Sequence, residues 1–435
     1  MIAIVEARDE TALAGLYAGG WAPAPDVVES VAAILADVRA HGDDAVVAYT
    51  RRFDDPNATA ATLRVTIPSL AEAQSLVPEQ IARGLRLARE RIAAFHERQR
   101  ATEIELRDPD GTRNALLVRP FGAIGAYVPG GSAVLPSSVL MTTIPAKIAG
   151  VPRVVVTSPP RRDGMTHPAI LFACALCGVD ELYAVGGAQA IGALAYGTAT
   201  LRRVDKIVGP GNAYVTEAKR QIFGTCGIDG LAGPSEVLVV ADSAANPEFV
   251  AGELCAQAEH DPDARVAAVS EDRALLEAVA VLLDGDFARS LPRWPIVERV
   301  FAERAYLVHA NDRREILEVI DRFAPEHLSL QIRDPESLLP EISRAGAIFV
   351  GAQTPVAAGD YIAGSNHVLP TSGAARFSSG LRTADFYRTM ALVENSDARM
   401  QADADVLAAL AEFEGLTAHA RTALLRTGRP WSGIT

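Results

Sequence analysis

The 435-residue chain carries a formal net charge of −13, with 49% apolar and 22% charged residues. Such a length predicts about two or three domains with complete cores and excludes a small stapled scaffold, and Cys174, Cys177, Cys226 and Cys255 are too few for a disulfide framework. The acidic balance argues against a nucleic-acid surface, which needs clustered Lys and Arg to displace counterions from phosphates.

The opening segment, MIAIVEARDE, holds Glu6, Asp9 and Glu10 and no apolar stretch, so no secretory signal is expected and the cytoplasm is the expected compartment. Apolar runs such as Ala169 to Val179 fall short of the roughly 18 to 20 residues that span a bilayer, and no membrane partner is expected. The first hundred or so residues read as helices, with Asp26 placed to cap VVESVAAILADVRA and apolar positions at helical spacing in PEQIARGLRLARERIAAF. The turn DPDG within IELRDPDGTRNALLVRP predicts a hairpin. From Arg153 onward the runs RVVVTS, ELYAV, DKIV, EVLVVAD, RVAAVS, AYLVHA, HLSLQI and AIFVG alternate with amphipathic stretches. This alternation predicts βαβ units, hence an α/β fold of two doubly wound, mainly parallel sheets with sites at the carboxyl ends of the strands. The tail after Arg382 is expected to be helical, most clearly in ADVLAALAEFEGL.

Four glycine-rich turns, YVPGGS at Tyr127 to Ser132, VGGAQA at Val185 to Ala190, GPGN at Gly209 to Asn212 and AGPSE at Ala232 to Glu236, follow strands or open helices. Unpaired amides there suit an anion or cofactor, although no GxGxxG fingerprint with a later acidic residue occurs. The pair Cys174 and Cys177 lies in the apolar run AILFACALCGV, where i and i+3 share a helix face, and reads as core. In CAQAEHDPD, Gln257 and His260 are three apart on an expected helix and can face one metal ion, with Glu259 turned away. Glu326 and His327 open a strand in FAPEHLSL, and a carboxylate beside an imidazole can divide two proton transfers. The polar stretch Gly359 to Leu381 reads as a long functional loop that carries Asp360 and His367. EGLTAH places Glu414 and His419 in the helical tail. Taken singly, each has a structural reading as well: a plain turn, a histidine satisfied at a helix end, an exposed loop pair.

At these motifs the chain resembles the histidinol dehydrogenase family. The resemblance covers nearly the whole chain through YVPGGSAVLPSSVLM, VGGAQAIGALAYGT, VGPGNAYV, AKRQIFGTCGIDGLAGPSE, QAEHDPDA, APEHLSL, GDYIAGSNHVLPTSGAARFSSGL and EGLTAH. It implies two incomplete Rossmann-like domains with helical terminal extensions. Their expected bounds are 1–25 for the N-terminal extension, 26–129 with 237–381 for the domain of metal and catalysis, 130–236 for the NAD side, and 382–435 for a C-terminal extension reaching the partner subunit.

The resemblance further implies one zinc per subunit, held by Gln257, His260 and Asp360, with His419 from the neighbouring subunit of a homodimer. It implies NAD contacts from Tyr127, Gln189 and Asn212, and substrate contacts from Ser235, Gln257, His260, Glu326, His327, Asp360, His367, Glu414 and His419. The implied reaction is the two-step, NAD-dependent oxidation of L-histidinol through L-histidinaldehyde to L-histidine, the final step of histidine biosynthesis. His327 acts as base on the alcohol and Glu326 activates water for the second step. His41, His96, His167 and His309 lie outside the motifs and read as structural or surface residues. The chain departs from the family at Val356, where Glu is common, and at Arg382 and Thr383 in place of Ser-Val. The alternative is a related zinc- and NAD-dependent dehydrogenase of another small polar alcohol, such as a sulfonated diol. A zinc hydrolase would need a compact motif such as HExxH, which is absent, and a silent paralogue would be expected to have lost some of these residues.

Overall fold

Every residue of EVLVVA, Glu236–Ala241, is buried, because alternate side chains fill different cores. Val237, Val239 and Ala241 pack on one face of the sheet, Leu238 and Val240 on the other. An unbroken apolar run of this kind belongs to a strand covered on both sides. The computed structural model describes residues 2–130 and 134–430, and the chain divides into two compact units, Met1–Arg100 with Phe121–Phe386, and Ala101–Pro120 with Tyr387–Thr435.

The larger unit holds two six-stranded sheets. One is entirely parallel, in the order Ile4–Glu6, Ala305–His309, Arg265–Ser270, Glu236–Ala241, His327–Gln331, Ala347–Val350. From Glu236–Ala241 at the centre the chain winds outward one way, returns beside its first strand, and winds outward the other way. The other sheet repeats this plan around Ile124–Tyr127, flanked by Val154–Ser158 and Glu181–Ala184 on one side and by Lys206–Val208 and Gly227–Ile228 on the other. Arg64–Val65 adds an antiparallel edge. All eight runs expected after Arg153 are strands; Ile4–Glu6, Arg64–Val65, Ile124–Tyr127 and Gly227–Ile228 are additional.

Polar caps start the helices that cover these sheets. Asn246 accepts from the Glu248 amide at the head of Pro247–Ala258, and Asp272 accepts from Ala274 and Leu275 ahead of Arg273–Asp284. Asp26 is not the cap expected of it: helix Pro25–His41 begins a residue earlier, with Pro25 in the first turn and Asp26 behind it, because proline's fixed φ already suits the first helical position. That helix and Asp43–Phe53 contribute Val31, Ile34, Leu35, Val38 and Val46 to the same core as Tyr127, Val155 and Ile207. Residues of these two helices therefore pack with the sheet of Ile124–Tyr127. The four cysteines are free thiols, with Cys174 buried in helix Pro168–Cys177.

In the smaller unit, the expected hairpin forms between Ile104–Arg107 and Arg113–Pro120. Tyr387–Glu394 then pairs antiparallel with Arg113–Pro120, so the tail expected to be helical also holds a strand ahead of its α-helices. Helices Asp397–Phe413 and Thr417–Leu425 pack together through Ala404, Ala408, Ala411, Ala420 and Leu424. Among the described residues no helix is long and apolar enough to cross a membrane.

Candidate active site

A cavity of about 1140 Å³ opens in the larger unit, lined by residues that follow one sheet's strands and precede the other's. Tyr127, Pro159, Gly187 and Pro210 lie at the carboxyl ends of the Ile124–Tyr127 sheet, whereas Ser235, Glu326 and His327 lie at the amino ends of the sheet built on Glu236–Ala241. The expectation of carboxyl-end sites therefore holds for one sheet and is reversed for the other. The reversal follows from helix Pro247–Ala258, which runs antiparallel to its strand and delivers Gln257 and His260 to the amino end.

On the first side the turns are held by backbone bonds. The Gly187 amide donates to the Tyr127 hydroxyl at 3.1 Å. Gly187 has φ +64, and a Cβ there would meet Gln189 Oε1 at 2.6 Å, so glycine leaves the Gln189 side chain its place. Gln189 is 1% exposed, and neither its amide oxygen nor its amide nitrogen has a hydrogen-bond partner. Buried amides without partners are costly, and this one lines the cavity. Asn212 caps helix Ala213–Ile222 by accepting from the Val215 amide at 3.1 Å. Gly209 is fixed twice: its amide donates to Asp229 at 2.7 Å, and its carbonyl accepts from Lys219 at 3.0 Å. Lys219 and Asp229 also form a buried ion pair. All four glycine turns contribute to the lining, although Gly131 and Ser132 of the first lie outside the described residues.

On the second side, Glu236 binds two neighbours through its backbone. Its amide donates to the Glu326 carboxylate at 2.9 Å, and its carbonyl accepts from His327 Nδ1 at 2.9 Å. A carbonyl only accepts, so Nδ1 carries a proton, and Nε2 is the nitrogen left to accept when the ring is neutral. Nε2 has no hydrogen-bond partner and lies 3.8 Å from Asp360 Oδ1. Burial pushes the Glu326 carboxyl up to about 8 against the pull of His327. Burial alone would lower the His327 imidazole, but the charges of Glu326 and Asp360 carry it up to about 9. The two groups, 3.5 Å apart, titrate as a pair. Glu236 itself is buried against Arg265.

Gln257, His260 and Asp360 line the same cavity. The Gln257 Oε1 atom is buried without a partner. Asp360 is held below the usual carboxylate range: burial opposes this, but His327, His367 and His260 together outweigh it. An unpaired amide oxygen, an imidazole and an ionised carboxylate suit zinc, with room for a fourth donor. Among the described residues no three His, Cys, Asp or Glu side chains form such a group by themselves. Asp360 sits on a short helix, Val356–Tyr361, where a loop was expected. His260 lies just past its helix, and Glu259, expected to turn away, also lines the cavity. His367 Nε2 is a further partnerless buried atom there, and burial lowers its imidazole.

Of the expected site residues, Tyr127, Gln189, Asn212, Ser235, Gln257, His260, Glu326, His327, Asp360 and His367 line this one cavity. Glu414 and His419 belong to the smaller unit, where both are exposed. Glu236, which acts through its backbone, the pair Lys219 and Asp229, and Tyr361 in the wall lie inside the quoted motifs but are not singled out there; Arg293, also in the wall, lies in none of them.

A cavity with cofactor-type turns on one wall and a proton-accepting pair on the other meets the needs of a dehydrogenase, in which hydride leaves toward a nicotinamide while a proton leaves toward a base. The family model of histidinol dehydrogenase matches residues 22–427. A Rhodospirillum rubrum protein named histidinol dehydrogenase is 47% identical over 421 residues, covering 97% of this chain and 96% of its own. Another of that name from Heliobacterium mobile is 45% identical over 405 residues, covering 92% and 94%. The crystal structure of histidinol dehydrogenase from Elizabethkingia anophelis superposes with a TM-score of 0.91 at 34% identity, covering 98% of both chains. The chain belongs to the histidinol dehydrogenase family. It is thereby an oxidoreductase of a family that is NAD-dependent and zinc-binding.

Proposed function

We propose that the chain oxidises L-histidinol through L-histidinaldehyde to L-histidine, and that the residues lining the cavity divide this work by wall. The observation that carries the reading is the bond that holds the Nδ1 proton of His327 on the Glu236 carbonyl, which leaves Nε2, beside Asp360, as the accepting nitrogen of the neutral ring. His327 takes the hydroxyl proton as hydride departs to NAD bound by Tyr127, Gln189 and Asn212. Glu326, anchored by the Glu236 amide, then takes a proton from the water that hydrates the aldehyde, preparing the second hydride transfer. Ser235 and His367 hold polar groups of the substrate. Both steps use one site, so the cavity wall retains the aldehyde between them.

Gln257, His260 and Asp360 hold zinc, with His419 of a second subunit as fourth ligand. When bound, the zinc supplies fixed anchor points for the substrate imidazole and amine, which orient the carbinol carbon. Glu414 contacts the substrate from the same neighbouring subunit. The homodimer this requires is supported by apolar side chains left open on the smaller unit's helices: Phe413 is 91% exposed, Val406 64% and Leu410 63%. Stretches of this kind mark an interaction surface. A cytoplasmic location completes the proposal.

The test is the yield of NADH per L-histidinol consumed by zinc-loaded protein, with histidine measured as product and a chelated sample alongside. Oxidation of an alcohol to a carboxylate releases two hydrides, so two NADH per histidinol, abolished by chelation, is expected. Turnover of a sulfonated diol in place of histidinol would overturn the substrate assignment.

A further inference from the structure

Two of the cavity's ligand-bearing residues stand on different helices, and one buried carboxylate touches both. Gln257 is near the end of helix Pro247–Ala258, and Asp360 is near the end of helix Val356–Tyr361. Glu253 lies four residues before Gln257, on the same face of its helix. It is 7% exposed. Its two carboxylate oxygens accept from the backbone amide of Val356, at 3.3 and 3.2 Å. Val356 lies four residues before Asp360 and so shares its face.

The Val356 amide is one of the donors that a helix start leaves without an intrahelical partner, and a carboxylate there also suits the helix dipole. Stability alone gives little reason for the arrangement, because a buried carboxylate whose partner is one backbone amide costs more than an apolar side chain in its place. Position gives a better reason. The Val356 side chain is fully buried in the core that Val250 and Leu254 supply from the first helix, so side chain and amide fix the second helix at one point. The departure at Val356 fits the same picture. The resemblance leads one to expect a carboxylate on residue 356; here valine fills the core and Glu253 brings a carboxylate to that helix start from across the contact.

We propose that Glu253 is a positioning residue for the metal ligands, tying the Gln257 helix to the Asp360 helix through the Val356 amide. This rests on the reading of Gln257 and Asp360 as ligands, so the experiment tests both. Full-length protein, stripped of metal, is titrated with zinc against a chromophoric chelator, with far-UV circular dichroism and a melting curve for each variant. Asp360→Ala weakens zinc binding if the ligand reading holds; unchanged affinity would overturn that reading and the inference with it.

With Asp360→Ala weakened, Glu253→Ala is expected to lower zinc affinity about 10- to 100-fold, as loss of an outer-shell partner does. Glu253→Gln keeps an acceptor oxygen and is expected to stay within about threefold of the parent. Val356→Pro removes the donor amide at a helical position where proline is accepted but also changes the buried side chain; with Val356→Ala as the control for the side chain, the loss due to the amide is expected to match Glu253→Ala. Combining Glu253→Ala with Val356→Pro should add only the side-chain loss, because the two break one bond. Parental affinity in Glu253→Ala would overturn the proposal. So would a Glu253→Gln loss as large as that of Glu253→Ala, which would mean that the charge matters and the tether does not.

Discussion

The carbonyl of Glu236 receives the Nδ1 proton of His327 across 2.9 Å, so one backbone atom decides which imidazole nitrogen can act. His327→Asn keeps a donor for that carbonyl and loses the acceptor nitrogen. Alcohol oxidation is expected to fall about 10²- to 10⁴-fold with the fold intact, measured as NADH formation from histidinol. Loss of less than tenfold would remove His327 as base. The base must be unprotonated, and the pair's groups lie near 8 and 9. Activity of the parent should therefore rise with pH, at or below that range, because zinc on Asp360 offsets part of the charge that raises His327.

Glu326→Gln retains an oxygen for the Glu236 amide and cannot accept a proton from water. Assayed separately with the alcohol and the aldehyde, this variant should lose more of the aldehyde step. Equal losses would end the division of labour between Glu326 and His327.

Breaking the Lys219–Asp229 pair should loosen the Gly209 turn. Lys219→Met leaves Asp229 buried without its counter-charge, a change that costs about 3–5 kcal/mol. The Michaelis constant for NAD is expected to rise more than the turnover number falls. A Cβ at Gly209, where φ is +111, would lie 2.2 Å from the Tyr127 carbonyl oxygen, so Gly209→Ala should raise the same constant. Unfolding at a lower urea concentration, with NAD binding unchanged, would make the pair merely structural.

If His419 is lent across a dimer, two inactive variants should rescue each other. In a mixed dimer of His327→Asn and His419→Ala chains, one site receives both good residues and the other neither. Co-refolded mixtures should recover about a quarter of parental activity, since half the dimers are mixed. Mixtures as inactive as their components would place His419 and His327 in the same subunit's site.

His96 is fully buried, with Nδ1 3.3 Å from the Thr383 hydroxyl, and burial lowers its imidazole to about 4. The unfolded chain takes up this proton near 6.5 while the folded chain resists it until about 4. Stability from a neutral buried histidine is thus present above pH 6.5 and lost as pH falls toward 4, by about 3 kcal/mol in full. In His96→Asn this slope should be absent, so the difference in urea midpoint between parent and variant should shrink from pH 7.5 to pH 4.5. A constant difference would refute it.

The doubly wound order is legible because β-branched runs alternating with amphipathic stretches are a pattern of composition. Strand Ile124–Tyr127 escapes that reading: it is a short IGAY segment whose glycine and alanine have little strand preference. Tyr387–Glu394 escapes because most of it is exposed on both faces, leaving no alternation to see. The candidate site is legible where side chains act, at Gln257, Glu326, His327, Asp360 and His367. It is not legible where backbone acts, since the amide and carbonyl of Glu236 are those of any residue. Thr383, a departure from the family pattern, donates to the His96 carbonyl at 2.9 Å, a partnership across 287 positions that no local pattern announces.

The segment that leaves strand Gly227–Ile228 and enters strand Glu236–Ala241 is the shorter of the two passages of chain that run directly from one sheet to the other, and Ala232, Gly233, Pro234 and Ser235 of that link are also cavity wall. The joint and the lining are therefore one piece of chain. Whatever fills the cavity bears on the joint, and whatever stiffens the joint reshapes the space in which alcohol and nicotinamide meet. Substitutions at Pro234 should thus alter the reach between the two reactants while leaving each one's own contacts in place, a geometric control over rate that does not pass through affinity.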